Sequence, residues 1–166
     1  EVGQFWEAGE EITVFRLGNT GFSVPICFED SFGDHTRAMA AAGAEFLIVL
    51  TDDSWGKSAP CQYYHLTQSA LRAAELGIPI ARAANTGATA LLGPDGTLIA
   101  ELPPFEEGVL RVDIPLPPAS FRGTVNRRIG DALGWAALAL SAFLIAVIAA
   151  LRIVKRRTHG NSGNPA

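Results

Sequence analysis

Hydrophobic and polar positions follow three rhythms along the chain. The first is a run without any charge, residues 132–151, ALGWAALALSAFLIAVIAAL, with Ser141 its only hydroxyl. A helix of that length is about 30 Å long, the hydrocarbon thickness of a bilayer. The run has no polar stripe, and Trp135 lies near one end, where an interfacial aromatic belongs. It predicts a membrane-spanning helix at 132–151. The second rhythm is alternation or short apolar runs, which predict strands at 11–17, 22–28, 46–50, 78–84, 88–92, 97–101 and 108–114. The third is helical spacing at 34–42, stopped by Gly43, and at 62–76, stopped by Gly77. Pro94-Asp95-Gly96 predicts a turn between strands, since proline sets φ and glycine permits a positive one.

Strands alternating with helices predict an α/β fold, a sheet covered by helices. FSVPICF, EFLIVL and IPIARA are apolar almost throughout, as strands buried on both faces are. The sequence divides into an α/β part over 1–118 that ends in a proline-rich stretch, a juxtamembrane exit segment over 119–131, the apolar span over 132–151 and a basic, then polar, tail over 152–166.

Charge sharpens this division. Of 17 acidic residues none lies beyond Asp131, whereas four of the 13 basic residues do: Arg152, Lys155, Arg156 and Arg157. Arg122, Arg127 and Arg128 precede the span but stand farther from it and among acids. The excess of nearby positive charge places the C-terminus in the cytoplasm and residues 1–131 outside. The last residues, THGNSGNPA, predict a small disordered tail. A net charge of −4 excludes the basic footprint of a nucleic-acid binder. Two cysteines exclude a disulfide-stapled mini-domain, and His35, His65 and His159 lack the spacing of a metal site. The chain begins at Glu1 and its single methionine is Met39, the expectation for a processed chain or a piece of a longer one.

Cys27 follows Val24-Pro25-Ile26, at the carboxyl end of a predicted buried strand, where α/β sheets place reactive groups. A nucleophilic thiol there needs a base and oxyanion donors. Glu29, two residues on, would share its face on a continuing strand and serve as a supporting acid. The same residues also fit a packed structural thiol, for free cysteine is among the most buried types, and a glutamate that merely caps the strand end. Trp55 fits either core packing or a site-lining position. His65 reads as a packed, hydrogen-bonded histidine, Arg72 and Glu75 as an i,i+3 ion pair, and Cys61 as incidental.

The set Ile26-Cys27-Phe28-Glu29, Trp55, His65, Arg72, Ala73, Glu75, Leu76, Gly77, Arg82, Asn85, Thr86 and Gly87, in this order and spacing, resembles the nitrilase (carbon–nitrogen hydrolase) superfamily. Within it, FRGTVNRRIGDALGW followed by the apolar span is similar to the last part of the apolipoprotein N-acyltransferase family, over roughly residues 5–151. The resemblance implies the C-terminal half of an α-β-β-α sandwich followed by one transmembrane helix, in a bacterial inner membrane. It implies Cys27 as a nucleophile that takes an acyl chain from a phospholipid donor as a thioester and passes it to the α-amine of a lipoprotein acceptor. Glu29 would support Cys27, Trp55 would contact substrate, and no cofactor or metal is called for. The alternative is a membrane-tethered amidase or nitrilase whose acyl-enzyme is attacked by water, or an inactive piece.

Two departures stand out. The family's basic glutamate and oxyanion lysine lie well upstream of the cysteine. Here the preceding residues hold Glu1, Glu7, Glu10 and Glu11 but no lysine, the only lysines being Lys57 and Lys155. The family's Asn-Asp-x-Trp-Phe-Gly loop is Asp52-Asp53-Ser54-Trp55-Gly56.

Overall fold

Phe46–Asp52 is the longest strand of the sheet and lies inside it, because its side chains can be buried on both faces. The computed structural model describes residues 9–160, and side chains as far as Arg152. The chain divides into two units, one ending at Gly130 and the next beginning at Asp131. Glu1 and Glu7 and the tail beyond Gly160 lie outside the described residues, as do the side chains of Lys155, Arg156 and Arg157.

The first unit is built on a six-stranded sheet whose spatial order follows the chain: β1 Phe15–Leu17, β2 Thr20–Ser23, β3 Phe46–Asp52, β4 Ile80–Asn85, β5 Thr89–Leu92 and β6 Leu98–Leu102. β2, β3 and β4 run parallel, and the outer pairings are antiparallel. The two parallel steps are crossovers through helices, α1 at Gly33–Ala41 and α2 at Ala59–Leu76. Both helices pack on the face that carries Leu47, Val49 and Ile80, through Met39 and Ala40 of α1 and Leu66, Ala73 and Leu76 of α2. The opposite face carries a ladder of stacked rings, Phe15, Phe22 and Phe46, with centroids 5.4 and 5.2 Å apart. α2 ends as its sequence predicts: Gly77 adopts φ +68° and its N–H closes onto the Ala73 carbonyl at 2.8 Å.

Three predicted strands require correction. The strand at 11–17 is ordered into the ladder only from Phe15. The strand at 22–28 stops at Ser23, because Pro25 has no N–H to give the ladder. A single parallel bridge, Ile26 to Leu50, remains, in which the Leu50 N–H reaches the Pro25 carbonyl at 3.3 Å. Residues 108–114 keep the burial alternation of a strand, with Leu110, Val112 and Ile114 half-buried, but pair with no neighbour. Alternation registers a half-buried extended chain; it does not require a hydrogen-bonded partner.

The exit segment forms a short helix, α3 Val125–Ile129, whose N-cap Thr124 accepts from the Arg127 N–H at 3.0 Å. The described residues of the second unit form a helix, α4 Ala132–Gly160, nine residues longer than the apolar run predicted. Within Ala132–Arg152 the mean hydropathy reaches 2.3, and no residue of that window is buried within the protein. By length and composition this is a candidate membrane span.

Candidate active site

Parallel strands end together at one edge, so the segments leaving β2, β3 and β4 meet there. They carry Cys27, then Asp52 to Gly56, then Asn85 to Gly87.

Cys27 does not continue a strand. It opens a tight 3-10 turn over Cys27–Ser31 with φ +52°, a left-handed conformation that an L-residue adopts at a cost of about 1–2 kcal/mol. The strain is tolerated because the turn is fixed at several points. Glu29 Oε2 accepts the Ile26 N–H at 2.7 Å, and the Glu29 N–H reaches the Ile26 carbonyl at 3.1 Å. Arg72, already paired with Glu75 at 2.7 Å as its spacing predicts, also donates to the Ser31 carbonyl at 3.2 Å. The expectation that Glu29 lies on a strand beside Cys27 is therefore corrected. Its carboxylate folds back over the backbone entering the turn, with His35 Nε2 at 3.7 Å. The thiol of Cys27 is half-exposed and, like that of Cys61, free.

Trp55 lies in a second 3-10 turn, Ser54–Gly56, and is 60% exposed. Core packing is thus not its role. Asp52 anchors this loop, accepting the Ser54 N–H at 2.9 Å and Asn85 Nδ2 at 3.2 Å. The Ser54 hydrogen bonds hold its carboxyl below the ordinary value. Past β4, Thr86 (φ +60°) and Phe105 (φ +67°) are joined by an N–H of Phe105 on the Thr86 carbonyl, 3.1 Å. They line a cleft of about 560 Å³ with Asn85, Leu102, Glu106 and Gly108.

Beneath the two turns lies a charged cluster that the sequence pattern did not reveal as a unit. Asp30, Asp53, His65 and Arg82 are at most 2% exposed. Arg82, on β4, divides its guanidinium between the two carboxylates, with Nη1 to Asp30 Oδ2 at 2.8 Å and Nη2 to Asp53 Oδ2 at 2.7 Å. His65, on α2, divides its ring in the same way, with Nε2 to Asp30 Oδ1 at 3.1 Å and Nδ1 to Asp53 Oδ1 at 2.8 Å. The Ser69 hydroxyl donates to Asp30 and accepts from Arg82 at 3.0 Å. Thr51 donates to Asp53 Oδ1 at 2.9 Å.

A neutral imidazole would turn a bare nitrogen toward one of these carboxylates. At Nδ1 that bare nitrogen would accept from Arg82 Nη2, 2.8 Å away, while Nε2 donates to Asp30; protonated, the ring offers a donor to each carboxylate. Burial and the neighbouring guanidinium oppose the charge on His65, but its hydrogen bonds to both aspartates and the charge of Asp30 outweigh them and raise its pKa above the ordinary value. Burial likewise pushes Asp53 upward, and the bonds from Arg82, His65 and Thr51 more than reverse it, leaving its carboxyl below the ordinary value. The two aspartates are thus set against a guanidinium and an imidazole, so the buried arginine charge has an acidic partner on either side. His65 is the packed, hydrogen-bonded histidine its sequence predicts. The one available sign of the cluster was Arg82 itself, a permanent charge inside the apolar strand IPIARAAN that demands buried partners.

The carbon–nitrogen hydrolase family model matches residues 3–120, and the chain belongs to that family. Its relatives narrow the comparison. The chain is 45% identical over 131 residues to apolipoprotein N-acyltransferase 1 of Treponema pallidum, covering 79% of this chain and 24% of that protein. It is 31% identical over 158 residues to the apolipoprotein N-acyltransferase of Geobacter metallireducens, covering 95% of this chain and 29% of that protein. The chain thus spans about a quarter of the length of the curated relatives it matches. Among solved structures, it is similar to an amidase from Nesterenkonia sp. AN1, with a TM-score of 0.51 and 27% identity over 60% of this chain and 41% of that one. In one structure of that amidase, acrylamide has added to the active site cysteine. The sheet accordingly has a nitrilase-like fold.

Proposed function

We propose that this chain is the C-terminal part of a lipoprotein N-acyltransferase in which Cys27 is the acyl carrier. The Cys27 sulfur, as thiolate, attacks the ester carbonyl of a phospholipid. The tetrahedral oxyanion collapses, the thioester forms, and the glycerol oxygen leaves with a proton. The α-amine of a lipoprotein's diacylglyceryl-cysteine then attacks the thioester, an amide bond forms, and the thiol is restored. Glu29 supports the nucleophile by holding the backbone at Ile26, and Trp55 contacts substrate from the neighbouring loop. The base and the oxyanion lysine come from residues upstream, completing the α-β-β-α sandwich to which 1–118 contributes. Residues 119–131 lead into the span at 132–151, and the tail at 152–166 is cytoplasmic, with the site on the periplasmic side.

The observation that carries this reading is a strained, half-exposed cysteine turn in the same chain as a membrane-length apolar helix. Both proposed substrates reside in membranes, and a soluble amidase has no use for such a helix. The test is incubation of the intact protein in membranes with a phospholipid bearing a labelled acyl chain, followed by peptide mass spectrometry. Label is expected on Cys27 and then on the lipoprotein amine. Cys27→Ala should carry none, and a labelled Cys27→Ala enzyme would refute the assignment. The likeness to an amidase favours a second reading, hydrolysis. Release of free fatty acid without an N-acylated product would select it.

A further inference from the structure

Arg82 and His65 touch two loops that are remote in sequence. Asp30 belongs to the turn that opens with Cys27, and Asp53 to the loop that carries Trp55. Neither connector belongs to either loop: His65 sits on α2 and Arg82 on β4. Each sets one nitrogen within hydrogen-bond distance of each carboxylate, so the two loops share a doubled bridge. Gln62 adds to the second anchor, donating to the backbone carbonyls of Asp53 at 2.7 Å and Gly56 at 3.2 Å. A guanidinium is planar and rigid, so a movement at Asp53 turns the fork that holds Asp30. A strained turn needs such outside restraint to keep its shape.

We propose that Arg82 and His65 are positioning residues that fix the Cys27 turn and the Trp55 loop to one another, so that the nucleophile is placed by Asp53 as well as by its own turn. The proposal deepens the acyl-transfer reading and rests on it for the reaction that it serves. None of the four cluster residues touches substrate in this scheme. They act through the backbone of the two loops.

The test uses the intact protein in membranes and three variants. Arg82→Lys keeps the charge but replaces two donor nitrogens with one. Ser69→Ala removes one hydroxyl from the Asp30 side, a small change expected to leave the fold intact. Asp53→Asn alters only the far anchor. Two quantities are read: acylation of Cys27 by phospholipid, and iodoacetamide alkylation of Cys27 and Cys61, resolved by peptide mass spectrometry. Arg82→Lys and Asp53→Asn should each slow acylation at saturating phospholipid at least tenfold, with KM little changed, and Ser69→Ala several-fold. In each, the alkylation rate of Cys27 should change while that of Cys61 in Ser69→Ala stays at the wild-type value. Wild-type acylation rates in Ser69→Ala and Asp53→Asn overturn the proposal. So do equal changes at both cysteines in Ser69→Ala, which a merely loosened fold produces. Should Arg82→Lys fail to accumulate, the other two variants decide. If the wild-type protein takes no acyl group at Cys27, the acyl-transfer reading fails, and the alkylation comparison still decides the bridge.

Discussion

A Cβ on Gly87 would stand 2.4 Å from Oδ2 of Asp53, the oxygen that receives Arg82. The missing side chain is what lets the segment leaving β4 lie against the charged cluster. Gly87→Ala has no free space on the other side either, since the Ala84 Cβ would be 2.9 Å away. The substitution should cost about 1–3 kcal/mol, the usual range for an overpacked interior. Thermal unfolding of the intact protein in detergent should show a lowered Tm, and an unchanged Tm would mean the loop can move aside freely.

Cys27 offers a separation of chemistry from conformation. Cys27→Ala and Cys27→Gly both remove the sulfur and should both abolish the thioester. They should differ in stability, because only glycine occupies φ +52° without steric cost. Cys27→Gly should be the more stable of the two by about 1 kcal/mol. Chemical denaturation of the two variants side by side measures it.

The cluster sets a pH window. Asp53 has a folded pKa below its ordinary 3.8, so its contribution is complete above 3.8 and fades as pH falls through the folded value. His65 has a folded pKa above its ordinary 6.5, so its contribution is complete below 6.5 and fades as pH rises through the folded value. These two groups together give greatest stability between those ordinary values. Tm measured across pH should decline on both sides, and His65→Gln should flatten the alkaline decline.

Membrane insertion can be tested at Ala142, near the middle of the apolar helix. An arginine at the centre of a span costs about 2.5–3.5 kcal/mol on insertion scales. Ala142→Arg should lower the fraction of protein that resists alkaline extraction from membranes. Ala142→Leu should not, and equal extraction of both would argue against a lipid-facing role for the helix.

The strong periodic segments were legible because their signals are local. FLIVL, the Gln62–Leu76 spacing with Gly77 behind it, and the long apolar run each state their structure within a few turns of chain. The Cys27 turn was legible as a location but not as a shape. Pro25 silences a donor two residues before Cys27, and the extended run around it masks that effect. The charged cluster was hidden for another reason. Asp30, Asp53, His65, Ser69 and Arg82 come from four segments, and the first four have an ordinary explanation taken singly. Only the pairing of β3 with β4, which sets Val49 beside Arg82, gives them a common interior.

Losing Arg82 alone leaves Asp30 and Asp53 without their shared guanidinium in a dry site, and losing either aspartate leaves that guanidinium with one acidic partner. Breaking a buried pair in this way costs about 3–5 kcal/mol, against a net stability of about 5–15 kcal/mol for a domain. Asp30, Asp53, His65 and Arg82 should therefore resist replacement one at a time, which single-variant stability measurements would check. Chimaeras that exchange the β4 segment without the two loops should be the ones that fail to fold.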